Sequence, residues 1–233
     1  MTNDSKNIIR LIIKFISNEH VDSFVKNGML YMNTLNYFKE LEDNSNSLRA
    51  DIHEGLSATY DPAKIIIKLG QHTLNGLTDK VDFWFDDLLN VNIFSLTSIT
   101  DYDLIESNCK MTLSKKFIEF GDKAIVFAGY KINDLFNRMK MAIKNDTNLI
   151  PIDGQKICGK KVDYVNRFEY HGEMGPFRKF DKYSWQMEWR LAVKHAKQYN
   201  LPYKLFLGNI SDICDVYETK DLINMPIELV KIK

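Results

Sequence analysis

Residues 183–193 constrain the fold more than any other part of the chain. Tyr183, Trp185, Met187, Trp189, Leu191 and Val193 alternate without a break with Ser184, Gln186, Glu188, Arg190 and Ala192. A period of two sends the two sets to opposite faces of a β-strand. One face is then heavy and aromatic, suited to a core. The other carries an amide, a carboxylate and a guanidinium in a row. Such a row is either a solvated sheet face or the floor of a site.

The rest of the chain offers this strand a sheet to join. Residues 8–16 read as a strand, with Ile9, Leu11, Ile13 and Phe15 on one face and Arg10 and Lys14 on the other. A short helix follows, capped by Ser17 or Asn18 and closed by Gly28. Further strands are expected at 29–33, 64–69, 91–99, 123–130, 161–168, 202–207 and 227–232. Helices are expected at 34–41, from Thr78 to Leu88, and from Asn133 through Ile143, with residues 211–218 partly helical. The clearest of them sets Leu135, Phe136, Met139 and Ile143 at helical spacing. This makes about eight strands and about four helices without regular βαβ alternation, so the expected class is α+β with a mixed, mostly antiparallel core. No repeat or linker-like tract divides residues 1–233, so one domain is expected.

Bulk properties exclude more than they select. Lysine plus arginine number 31 and aspartate plus glutamate number 31, so the formal net charge is zero. Nothing global favours nucleic acid or an anionic membrane, although residues 177–182 form a local basic patch. The three cysteines, Cys109, Cys158 and Cys214, are far apart and form no CxxC pair. Neither a disulfide framework nor a zinc site is expected, and the reading is a reducing cytoplasm. No signal-peptide pattern opens the chain and no apolar run approaches a membrane span.

Four groups of residues can carry chemistry. Gln186 and Glu188 share a strand face about 7 Å apart. A carboxylate there can stabilise a developing cationic carbon, and the amide can orient a second reactant. The plainer reading pairs Glu188 with Arg190. Ser95 and Thr97 share a face near the end of a strand, where hydroxyls anchor backbone or ligand. Arg10, in mid-strand, suits bidentate recognition of phosphate. Arg49, Asp51 and Glu54 form a charged cluster in a polar loop. Asp51 and Glu54, with Glu188, are a candidate divalent-metal set for a nuclease. The same loop is equally readable as a self-paired turn or a lid. The histidines show no metal-ligand spacing.

An arginine on the first strand, an aromatic residue followed by serines on a middle strand (Phe94, then Ser95-Leu96-Thr97-Ser98) and Gln-x-Glu on a late strand occur here in the order seen in the ADP-ribosyltransferase superfamily, which the chain resembles. The resemblance implies NAD as substrate. Arg10 would bind a phosphate, Ser95 and Thr97 would support the pocket, Glu188 would engage the nicotinamide ribose and Gln186 would position the acceptor. It also implies target recognition by the loop before Gln186, with Phe177 and Phe180 set among basic residues. A second resemblance runs through residues 28–38, Arg49-x-Asp51-x-x-Glu54-Gly55, 120–122 and Phe177-x-Lys179 to Arg190. It is to bacterial and phage proteins, some encoded near abortive-infection genes, and it implies a setting in phage–host conflict, as defence or counter-defence. The alternative to an enzyme is a protein that inhibits or senses a partner protein or a nucleotide signal.

Overall fold

The computed structural model describes residues 8–44, 51–74, 76, 78–150, 152, 158–197 and 199–230. Its main sheet has nine strands: β1 (Ile9–Ile16), β2 (Met29–Thr34), β3 (Asn92–Thr100), β4 (Lys123–Ala128), β5 (Leu149–Ile150), β6 (Cys158–Lys161), β7 (Glu188–His195), β8 (Tyr203–Phe206) and β9 (Asp215–Glu218). Every pairing within it is antiparallel. Among the described residues six α-helices accompany it: α1 (Asn18–Val25), α2 (Leu35–Asn44), α3 (Asp86–Leu89), α4 (Asp101–Glu106), α5 (Tyr130–Asn145) and α6 (Thr219–Leu222). The α+β class with a large antiparallel sheet is as expected. The chain is more finely divided than its periodicity suggests, with eighteen strand segments among the described residues.

The central strand, β3, organises the sheet. One of its edges pairs with β7 from Asn92 to Thr97, with Glu188 opposite Thr97 and Arg190 opposite Ser95. The other edge is shared. β1 pairs with its end, Ile13 opposite Thr97, and β2 with its beginning, Asn33 opposite Ile93. β1 then leads to β4 and β9, and β2 leads to β8. The sheet therefore forks at β3. The Ser98 N–H donates to the Met187 carbonyl at 2.8 Å, so even-numbered residues of β3 bond toward β7 and odd-numbered ones toward the fork. Ser95 is the odd-numbered residue between the two branches, and its rung of the ladder has no strand opposite.

Side-chain alternation separates two faces. Leu96, Phe94, Trp189, Leu191 and Val193 lie on one and pack with Ile132, Leu135, Met139 and Ile143 of α5. Trp189 also stacks on Phe136, centroids 4.7 Å apart. Burying each such side chain contributes roughly 1.5–3 kcal/mol. The opposite face carries Ser95, Thr97, Glu188 and Arg190. Apolar clusters flank it, one around Ile13, Phe15 and Phe117 and the other around Leu35, Val91, Ile93 and Ala192.

Several local expectations are corrected. The alternating run is not one strand. Asp181–Gln186 is a 3-10 helix, Met187 is left-handed at φ 44, and the strand begins at Glu188. The expected helix from Thr78 is instead a short strand, Val81–Phe83, followed by the one-turn α3. The long helix starts at Tyr130 rather than Asn133, with Gly129 before it at φ 61. The partly helical segment expected to end at Glu218 finishes as strand β9, pairing with β4. Gly28 holds φ +60, and a Cβ there would lie 2.2 Å from the Gly208 carbonyl oxygen. That close approach brings the β8 end against β2, so a side chain at this position would part the second branch of the fork.

Candidate functional site

A cavity of about 810 Å³ opens at the fork, within the usual size range of small-molecule sites. Its walls come from the end of β1, from β2 and α2, and from the middle of β3. Tyr31, Tyr37, Phe38 and Phe120 supply aromatic surface, while Ser95, Thr97, Gln186 and Glu188 supply polar groups. Lys14 lies at the missing rung. Its ammonium donates to the Ser95 carbonyl at 3.0 Å and sits 4.2 Å from the centre of the Phe94 ring.

Part of this wall is a buried ionic cluster. Arg190, 1% exposed, donates from Nε to Glu188 at 2.7 Å and from Nη1 and Nη2 to Glu54 at 2.8 and 3.2 Å. Its Nη1 also donates to the Pro176 carbonyl at 2.6 Å. Lys179 approaches Glu54 and Glu188 at 3.3 Å each and donates to the Gln186 amide oxygen at 3.0 Å. Ser95 Oγ donates to Glu188 Oε1 at 2.5 Å. The Glu188 backbone N–H donates to the Tyr164 hydroxyl at 2.9 Å. Two carboxylates are thus matched by two cations, which is the condition for holding charge in a low-dielectric interior.

The electrostatics follow from that geometry. Burial by itself would raise the Glu188 carboxyl, but Arg190 and Lys179 outweigh it and hold the group at about 2. Glu54 is lowered on the same balance. Lys179 and Arg190 resist burial through the two glutamates and are both raised. Asp51 goes the other way. Burial, helped by the charge of Glu54, lifts it to about 6 against the pull of Lys179. Its carboxylate accepts the His53 N–H at 3.0 Å, which ties off the turn that delivers Glu54. Tyr164 is raised by burial and by the Glu188 charge, so its hydroxyl stays protonated.

The structure brings together Ser95, Thr97, Gln186, Glu188, Arg190 and Glu54, all of which line the cavity. Gln186 and Glu188 arrive from a 3-10 turn and a strand rather than as alternate residues of one strand. Lys179 bridges them. Arg10 does not line the cavity. The register of β1 advances two residues, Ile9 to Leu11, while β3 advances one, so Arg10 is the extra residue of a bulge. It pairs with Asp101 at 2.5 Å, at the far end of the β1–β3 pairing. Phe180 is 2% exposed and packed with Leu56 and Met174 beneath the loop, so it presents no surface to a target. Phe177 is half-buried and lines a different cavity. Arg49 lies outside the described residues.

The metal reading does not fit the donor set. Arg190 stands between Glu54 and Glu188, and Lys179 touches both, where a divalent ion would have to sit. Among the described residues no three His, Cys, Asp or Glu side chains gather to ligate one ion. Nor is any described helix long and apolar enough to cross a membrane.

Sequence reasoning missed Lys179, Tyr164 and Lys14 as parts of the site. The one available signal was for Lys179, a lysine flanked by Phe177 and Phe180 in a short loop ahead of a carboxylate. No known family model matches the chain, and comparison with curated proteins and with solved structures gives no match.

Proposed function

We propose that the chain binds NAD in the cavity at the fork and cleaves the nicotinamide–ribose bond, passing ADP-ribose to a macromolecule or to water. The reading is carried by one observation: the hydrogen-bonded pair Ser95–Glu188, with Gln186 beside it, forms the polar wall of an aromatic-lined cavity of small-molecule size. In the reaction the C1′–N bond breaks and its electron pair leaves with nicotinamide. The acceptor oxygen or nitrogen bonds to C1′ and gives its proton to solvent. Glu188, held near 2, is ionised at any physiological pH. Its part is therefore electrostatic, accepting a ribose hydroxyl and facing the cationic carbon, and not proton transfer. Gln186, held by Lys179, presents its amide to the acceptor. The resemblance to proteins encoded near abortive-infection genes supports a role in phage–host conflict.

A second reading has an observation of its own. Arg190 and Lys179 already neutralise Glu188, which suits a binding protein whose cavity senses a nucleotide without turning it over. Chromatography of nicotinamide released from NAD separates the two. The transfer reading expects release by the native chain and a loss of about a hundredfold or more in Glu188→Gln. Equal release in both proteins would sink it. Saturable NAD binding by calorimetry with no release in either selects the sensor.

A further inference from the structure

The polar face of β7 serves two cavities. Glu188 and Arg190 line the first, and Lys194, on the same face four residues beyond Arg190, lines a second of about 760 Å³. The turn Gly175–Phe177 divides them, with its Pro176 carbonyl fixed by Arg190. The second cavity has an apolar floor of Leu88, Val91, Met174 and Pro176. Phe83 and Phe85 stand at it with 38% and 63% of their surface exposed.

Its charges are lopsided. Lys160, Arg178 and Lys194 line it, against Asp87 and Glu173. Lys194 is paired with Asp87. Lys160 is exposed and lies 5.2 Å over the Phe177 ring, and Arg178 lies over Tyr170 and donates to the Glu173 carbonyl. Neither Lys160 nor Arg178 has a carboxylate within ion-pair distance among the described residues. Glu173 is exposed and turns only its backbone carbonyl to Arg178. Among the described residues, Lys160 and Arg178 against the single remaining carboxylate of Glu173 leave an excess of positive charge at the rim of an apolar, aromatic groove, which is complementary to a segment that alternates acidic and apolar side chains. Nucleic acid is the less suitable occupant, because the chain as a whole is neutral and offers no extended basic field.

We infer that the second cavity docks an acidic, apolar peptide segment of a partner protein, with Lys160 and Arg178 reading the acidic side chains and Phe85, Phe83 and the cavity floor taking the apolar ones. This stands whether or not the first cavity turns over NAD. The test is fluorescence anisotropy on the full chain with a fluorescein-labelled peptide of alternating glutamate and leucine, its lysine–leucine counterpart and an oligothymidylate. The glutamate–leucine peptide is expected to bind in preference to both. The double variant Lys160→Glu/Arg178→Glu should weaken it by about tenfold or more, and Phe85→Ser should weaken it as well. Lys140→Glu, on exposed α5 surface, should leave it unchanged. Melting curves matching the native chain establish that the variants fold. The inference is overturned if no probe binds, if the lysine peptide or the oligothymidylate is preferred, or if Lys140→Glu costs as much as the double variant.

Discussion

Arg190 and Arg10 make nearly the same contact in different surroundings. Arg190 reaches Glu188 at 2.7 Å with the two side chains 1% and 5% exposed, and Arg10 reaches Asp101 at 2.5 Å with exposures of 53% and 15%. Distance does not tell them apart, but solvent does. Water screens the Arg10 pair and competes for its donors, so it contributes little. In the interior the same attraction is far stronger, and so is the penalty for leaving either partner alone. Arg190 accordingly has several acceptors: Glu188, both oxygens of Glu54 and the Pro176 carbonyl. A charge can be central to a site here only where the fold has already arranged its compensation.

The largest effect is expected at the buried end. Arg190→Met leaves Glu54 and Glu188 facing Lys179 as their only ion-pair partner among the described residues, and removal of one partner from such a cluster costs about 3–5 kcal/mol. Urea unfolding measures this directly. Arg190→Lys should recover little of it, because one ammonium cannot reach Glu188, both Glu54 oxygens and Pro176 together. If Arg190→Met is no more costly than a surface change, the cluster is not the tightly compensated unit that its geometry describes.

A smaller effect separates two carboxyls within the cluster. Glu188 is depressed to about 2, so the stability it contributes is present above the ordinary carboxylate range and is lost as pH falls toward 2. Asp51 is raised to about 6, so its contribution is fully present below its unfolded value near 4 and is lost as pH rises through 6. Melting temperature should therefore climb as pH falls from 7 to 5 on account of Asp51, and drop below 4 as Glu188 and Glu54 protonate. Asp51→Asn, which keeps an oxygen for the His53 N–H, should raise the melting temperature at pH 7.5 by roughly 3 °C or more. Near pH 4 the variant and the native chain should converge. A constant offset across that range would show that Asp51 does not titrate as its burial dictates.

The contrast between the two arginines also marks where sequence runs out. Alternation from Glu188 to Val193 set Trp189, Leu191 and Val193 on the α5 side and Glu188 and Arg190 on the other, because strand geometry admits only that division. The same alternation over 183–186 misled. Four residues cannot distinguish a period of two from the threefold turn of a 3-10 helix, and the left-handed Met187 that joins the two segments leaves no composition signal. Ser95 and Thr97 were legible as a shared face, but the missing rung beside Ser95 depends on where β1 and β2 part. The phenylalanines near Lys179 were its one local sign, and they do not say what it pairs with. Its partners, Glu54 and Glu188, arrive from segments that only tertiary packing brings together. Arg10 read as a mid-strand cation, and the bulge that turns it outward is a register event between strands some ninety residues apart.

The smallest expected effect is therefore at Arg10, and it bears on function as much as on stability. Arg10→Ala removes an exposed pair whose worth is about 0–1 kcal/mol, and any loss should shrink further when salt shortens the screening length. Because Arg10 does not line the cavity, the proposed NAD reading expects this variant and the native chain to give the same calorimetric titration with NAD. Lys14→Met, by contrast, removes the cation at the open rung beside Ser95, and the same proposed reading expects it to weaken NAD binding several-fold. A loss confined to Arg10→Ala would reverse the comparison: the exposed arginine would then be the phosphate ligand, and ligand binding would have to draw the β1 bulge toward the fork.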